Sequence, residues 1–96
     1  MATFNELEER AVAEIATALK KKSPQMSDGR AAKRAREDLS FAIEQAKKIV
    51  AVKLEVERRA GGKFSPEQIL FFFDTRGVSK ETSTALAVEM IEELRG

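Results

Sequence analysis

The longest regular pattern in the chain is a run of apolar and small residues between positions 28 and 60. They recur at alternating intervals of three and four with no proline among them, which is the spacing of a helix with one buried stripe. The pattern predicts one helix over residues 29–60, roughly 45–50 Å long at about 1.5 Å per residue. The series is Ala32, Ala35, Leu39, Ala42, Ala46, Ile49, Val56 and Ala60, and Lys53 is its one charged position.

This predicted helix is longer than one chain of 96 residues can cover, because a compact domain of that size has a radius of gyration of only about 12–13 Å. The spacing is also that of a coiled-coil seam. On the opposite side, Phe41 and Val52 align after about three turns, which indicates a second contact face. We therefore expect a homo-oligomer. The residues of this helix assigned to an oligomer or partner interface are Leu39, Phe41, Ile49, Val52 and Val56.

A first helix is predicted over about residues 4–22. Thr3-Phe4-Asn5-Glu6 matches a capping box, in which the hydroxyl and the carboxylate satisfy free backbone N–H groups at a helix start. The loop that follows contains Pro24 and is short, so the first two helices should pack antiparallel as a hairpin.

Two further helices are predicted, over about residues 66–75 and 80–95. Ser65-Pro66 has the residue types preferred at a helix start, and Ser79 can cap the last helix. The expected fold is therefore all-α and bundle-like: a single domain over residues 1–96, with a long antiparallel hairpin, a short helix and a C-terminal helix.

The short predicted helix contains Ile69-Leu70-Phe71-Phe72-Phe73. Neighbouring helical positions are about 100° apart, so the three phenylalanines cover more than half of its circumference. Two interpretations remain open. The segment is a core helix clamped between other helices, or at least one phenylalanine contacts another subunit or a target, as aromatic residues often do. The candidate interface residues here are Phe71, Phe72 and Phe73.

Missing residue types narrow the possible chemistry. The chain has no cysteine and no histidine, which removes disulfides, thiolate chemistry and the commonest metal ligand and proton-transfer group. We therefore predict no catalytic site, no metal site and no cofactor. No segment approaches the roughly 18 apolar residues of a membrane span, and glutamates stand where a signal peptide would be basic, so we expect a cytoplasmic protein without a membrane partner.

The net charge of +1 hides an uneven distribution. Cations cluster on both sides of the predicted hairpin bend, and those that open the second helix lie at the end where the helix dipole favours anions. Either acidic surfaces of the protein neutralise this basic bend, or it binds a phosphate or an acidic partner. The basic bend comprises Lys20, Lys21, Lys22, Arg30, Lys33, Arg34 and Arg36.

Residues Gly77–Leu86 resemble the turn and the start of the reading helix in helix-turn-helix domains. That resemblance implies DNA binding by the last helix. The same helix carries several carboxylates that would repel phosphates, so an ordinary capped helix is the better interpretation. The carboxylates are Glu81, Glu89, Glu92 and Glu93.

These observations favour a non-enzymatic helical interaction protein, an adaptor, assembly factor or inhibitor of the kind that bacteria and phages make. It would act by self-association and by binding a protein target. The alternative is an anion-binding protein that uses the basic bend for nucleic acid or a phosphate-bearing small ligand. An enzyme is the least favoured class.

Overall fold

The computed structural model describes residues 3–96, and the predicted all-α fold with a helical hairpin is confirmed over that range. Four α-helices and one 3-10 helix form in the order the sequence suggests. They are α1 (Phe4–Lys22), α2 (Asp28–Ala60), the 3-10 helix (Pro66–Ile69), α3 (Phe71–Asp74) and α4 (Lys80–Arg95).

Hydroxyl side chains begin the three long helices. Thr3 Oγ accepts from the Glu6 N–H at 3.2 Å, and Ser27 Oγ accepts from the Arg30 N–H at the same distance. Ser79 Oγ accepts from the Thr82 N–H at 3.3 Å. Each bond satisfies a backbone donor that has no partner within its own helix.

The prediction of one continuous helix over 66–75 was wrong. The segment is a 3-10 helix followed by a single turn of α-helix. Ser65 Oγ accepts from the N–H of Glu67 and Ser65 O from that of Gln68, the tight geometry typical of short 3-10 turns. Ile69, Leu70 and Phe73 are the buried residues of this segment.

Three contacts show that α1 and α2 run antiparallel. Lys20 bonds to Asp28 beside the bend. Arg36 bonds to Glu9 at 2.8 Å, and the Lys47 ammonium lies 6.0 Å from the centre of the Phe4 ring. Thus α1 covers α2 only as far as about Lys47, and the last part of α2 must be covered by something else.

The buried residues of α2 coincide only in part with the predicted seam. It consists of two rows with steps of four residues, the ridges that pack helices in many globular proteins. Ile49 is only partly buried and Val56 is exposed. The predicted seam, with its steps of three and four residues, therefore runs from the buried side of α2 onto its solvent-exposed side. The rows are Ala31, Ala35, Leu39, Ile43 and Ala42, Ala46, Val50, Leu54.

The C-terminal helix connects α1 to the far end of α2. Glu14 of α1 accepts from the backbone N–H of Ser79 at 2.7 Å, just before α4 begins. At the other end, Arg95 donates to Glu57 of α2 at 2.9 Å. Glu57 also accepts from the Phe64 N–H at 2.8 Å, so one carboxylate joins α2, the following loop and α4.

The turn before α4 lies directly against α1. Gly77 has φ +94°, and a Cβ there would lie 2.7 Å from Ala18 Cβ. Only glycine satisfies both the left-handed backbone and this approach. The molecule is elongated, with extents of 51 × 24 × 18 Å, and α2 accounts for the longest dimension.

Candidate interaction surfaces

The basic bend is partly neutralised within the chain. Arg36 makes a two-pronged bond to Glu9, with both N–O distances 2.8 Å. This bond lowers the pKa of Glu9 and raises that of Arg36. Lys20 bonds to Asp28 and lowers the pKa of that carboxyl. Lys20 and Arg36, both predicted as anion ligands, are therefore engaged by acidic residues.

The other cations of the basic bend form an exposed group with no ion pair among residues 3–96. They project from the end of α1 and from the first two turns of α2. Glu37 and Asp38 lie about one turn further along α2, so opposite charge is close to this group without bonding to it. The unpaired cations are Lys21, Lys22, Arg30, Lys33 and Arg34.

The three consecutive phenylalanines have three different environments. Phe73 is 0% exposed and belongs to the core, whereas Phe71 is 53% exposed. Phe72 is partly buried and stacks on Phe71 with ring centres 4.2 Å apart. Phe73 and Leu39, the latter 2% exposed, were wrongly assigned to an interface. The core of this same chain already covers both side chains.

Phe41 of α2 lies beside the segment that contains these phenylalanines. The Arg76 guanidinium carbon is 5.9 Å from the centre of the Phe41 ring, within the range of a cation–π contact. Arg76 also donates to the backbone oxygen of Phe72 at 2.7 Å. One arginine thus joins the outer side of α2 to the α3 segment, while Phe41 itself remains 56% exposed.

Val52 and Val56 continue the line that Phe41 begins on α2. At about 100° per residue, Val52 is displaced by only about 20° from Phe41, and Val56 by about 40° from Val52. Val52 is 63% exposed and Val56 is 53% exposed. Phe41 and Val56 are separated by about 22 Å along the helix at 1.5 Å per residue.

The segment from Gln68 to Arg76 runs alongside this line in the opposite direction. Gln68 shares a small open cleft with Lys53 and Val56, and Arg76 reaches Phe41. Phe71 lies between those two ends of the segment, and its ring is exposed. We call the surface formed by Phe41, Val52, Val56 and Phe71 the apolar face.

The apolar face contains most of the large apolar side chains that residues 3–96 expose. The fifth, Leu94, lies near the end of α4. Ile49 and Phe72 are half-buried and pack against the core. Gln45 and Lys48 lie on the same side of α2 between Phe41 and Val52, so the apolar side chains flank a polar centre. Scattered single exposures are normal in proteins, whereas several aligned on one side favour a binding site.

Sequence reasoning missed Glu14, Glu57 and Arg76. Glu14 lies among the buried positions of α1, and Glu57 comes one turn after buried Leu54. A carboxylate inside an otherwise apolar stripe is the signal that could have identified both. Arg76 gave no such signal, because its contact with Phe41 depends on the path of the chain between α2 and α4.

Glu14 also bears on the helix-turn-helix resemblance. Its carboxylate accepts from the backbone and side chain of Ser79 and from Thr82 Oγ, with distances of 2.7–3.3 Å. The start of α4 therefore faces an acidic side chain of α1 and is unsuited to a phosphate.

Comparison of the chain with protein-family models, curated proteins and solved structures finds no match in any of the three. None of the helices within residues 3–96 is long and apolar enough to cross a membrane.

Proposed function

We propose that this chain is a non-enzymatic interaction protein that self-associates and binds a protein target, with the apolar face as its contact surface. The observation that carries the proposal is that Phe41, Val52 and Val56 align on the outer side of α2 and are each more than half exposed, as is Phe71 on the segment beside them. Removing such a surface from water stabilises a complex by about 25 cal/mol for each Å² of apolar area.

The composition of the face supports the same function. Aromatic residues are enriched at protein interfaces, and arginine is enriched with them. Here Phe41 and Phe71 supply the exposed rings, and Arg76 lies over one of them. The pairing holds Arg76 in place before any partner binds, which lowers the entropic cost of ordering its side chain.

The test compares two substitutions that add the same charge to exposed helical positions. Val52→Glu places a carboxylate in the centre of the apolar face, and Ala13→Glu places one on exposed α1, away from it. Immobilised parent protein and the Ala13→Glu variant should retain the same target from a cell extract, and the Val52→Glu variant should lose it. If the Val52→Glu variant binds that target with unchanged affinity, the proposed contact surface is wrong.

A second candidate function is anion binding at the basic bend. The observation that favours it is the group of unpaired cations on one end of the molecule, including Lys21 and Arg34. A nucleic acid or a phosphate-bearing ligand would supply the missing negative charge. Binding of a DNA or RNA oligonucleotide should then weaken steeply with salt, and Arg34→Ala should reduce that salt dependence. Binding that is insensitive to salt would contradict this function.

A further inference from the structure

We propose that the apolar face is covered by a second copy of this chain whose α2 runs antiparallel to the first. The inference rests on the proposed function, since it names one protein that the face binds. Three features of α2 support this arrangement. They are the distribution of charge along the face, one register that pairs Phe41 with Val56 and Asp38 with Arg59, and the exposed length of the helix.

On α2 itself, the two ends of the apolar face carry opposite charge. Beside Phe41, the carboxylates of Glu37, Asp38 and Glu44 have no ion pair among residues 3–96, and Arg76 of the neighbouring segment is the cation over the ring. Beside Val56, the exposed cations of α2 are Lys53 and Arg59, with Lys63 in the loop that follows. Arg59 bonds only to Glu55 of its own helix, at 3.0 Å and in an exposed position, an interaction that exchanges easily.

An antiparallel copy brings these opposite charges together twice, as a two-fold interface requires. The register that places Phe41 opposite Val56 of the second copy also places Gln45 opposite its Val52. The same register places Asp38 opposite Arg59 of the copy. A parallel copy would instead place Asp38 on Asp38 and Arg59 on Arg59, which like-charge repulsion disfavours.

The two-fold axis in this register passes between Lys48 and Ile49. Lys48 is exposed and is the residue nearest the axis on the outer side of α2. Its four-carbon stem can cover apolar surface while its ammonium stays in water. Glu44, one turn earlier on the same helix, is within reach of that ammonium, so the two Lys48 side chains need not repel each other strongly.

The exposed outer side of α2 is long enough for the second copy to pack there. On the inner side, α1 reaches only to Lys47, and beyond it Val50 and Leu54 are buried in the core of the same chain. The open length of α2 therefore lies on the outer side, where Val52 and Val56 are more than half exposed. An antiparallel α2 from a second copy would cover this length and be covered by it in return.

The experiment uses the absence of cysteine in the chain. Lys48→Cys and Arg34→Cys are made separately, and each is treated with a bismaleimide that spans about 10 Å, the separation of packed helix axes. In the antiparallel pair, two copies of Cys at 48 lie close together. Two copies of Cys at 34 lie about 40 Å apart along the helices at 1.5 Å per residue. The Lys48→Cys variant should cross-link to a dimer and Arg34→Cys should not.

A dimer in which neither variant cross-links, or in which only Arg34→Cys does, has a different register and overturns the inference. Cross-linking of both variants indicates a parallel pair and overturns the inference, although the proposed contact surface survives if Val52→Glu abolishes the dimer. A parent protein that remains monomeric at millimolar concentration also overturns the inference, and Val52-dependent capture of a different protein would then show that the face binds another partner. A dimer that withstands Val52→Glu overturns both the inference and the contact surface.

Discussion

The two sides of α2 contain similar apolar residues and have different environments. On the inner side, Val50 is fully buried against the core, and two positions later Val52 is 63% exposed. Glu57 on the inner side joins three segments, whereas Glu55 bonds only to arginines of its own helix. Apolar content alone therefore does not distinguish a side that folds the chain from a side that is available to bind another.

The largest expected difference in stability is between alanine variants of Phe73 and Phe71. Phe73→Ala removes a fully buried ring and should lower the free energy of unfolding by about 3–5 kcal/mol. Phe71→Ala removes a ring that is already half exposed and should lower it by less than about 1 kcal/mol at concentrations where the protein is monomeric. Denaturant unfolding of both variants measures the difference. Equal losses would show that Phe71 also belongs to the core.

Glu57 and Glu55, on opposite sides of α2, give the next comparison. Glu57→Ala leaves the Phe64 N–H and the Arg95 guanidinium without their acceptor, and a part-buried donor left unpaired costs about 1–3 kcal/mol. Glu55→Ala removes exposed ion pairs and should cost no more than about 0.5 kcal/mol. Thermal unfolding under identical conditions tests both values. A larger loss for Glu55→Ala would reverse our assignment of the two sides.

Charge-reversal variants at the two ends of the face test the antiparallel register. Asp38→Lys puts two cations opposite each other at both symmetric contacts of the proposed pair. It should weaken self-association by about two- to thirtyfold, since two exposed ion pairs of about 0.2–1 kcal/mol each are lost. Arg59→Glu should have a similar effect. In the mixed pair both contacts become attractive again, since Lys at 38 faces Glu at 59 and Arg59 faces Asp38. Native mass spectrometry of the mixture should therefore show heterodimers in excess of random pairing. A random distribution of homodimers and heterodimers would contradict the register.

The smallest expected effect is on the stability of the protein at low pH. Arg36 lowers the pKa of Glu9 from its usual value of 4.5, so this pair contributes stability above that pH and loses it as the pH falls through the lower folded-state pKa. Glu9→Gln should therefore reduce stability slightly at pH 7 and make the loss of stability below pH 4.5 shallower. Unfolding curves at several pH values test this, with Glu93→Gln as a control at an exposed site without an ion pair.

Much of the fold could be predicted from the sequence because local signals determine it. The serine and threonine caps, the glycines after α2 and the apolar spacing identify helices, and the short loop at Pro24 predicts the hairpin. The 3-10 turn was missed because a serine followed by proline begins an α-helix and a 3-10 turn alike, and no other local signal in residues 66–69 distinguishes the two.

The candidate surfaces were predicted only in part. The aligned spacing of Phe41 and Val52 correctly indicated an outer line on α2, and the charge pattern identified the basic bend. The assignments of Leu39 and Phe73 were wrong, since apolar periodicity does not reveal which side another segment covers. Likewise, the bonds of Lys20 to Asp28 and of Arg36 to Glu9 depend on how α1 lies against α2.

The most direct measurement is the mass of the native particle by light scattering for the parent protein, Val52→Glu and Ala13→Glu at the same concentration. The account predicts twice the chain mass of 10.7 kDa for the parent and for Ala13→Glu, and a single chain for Val52→Glu with unchanged helix content. Equal masses for all three proteins would contradict the claim that the outer side of α2 binds a second copy.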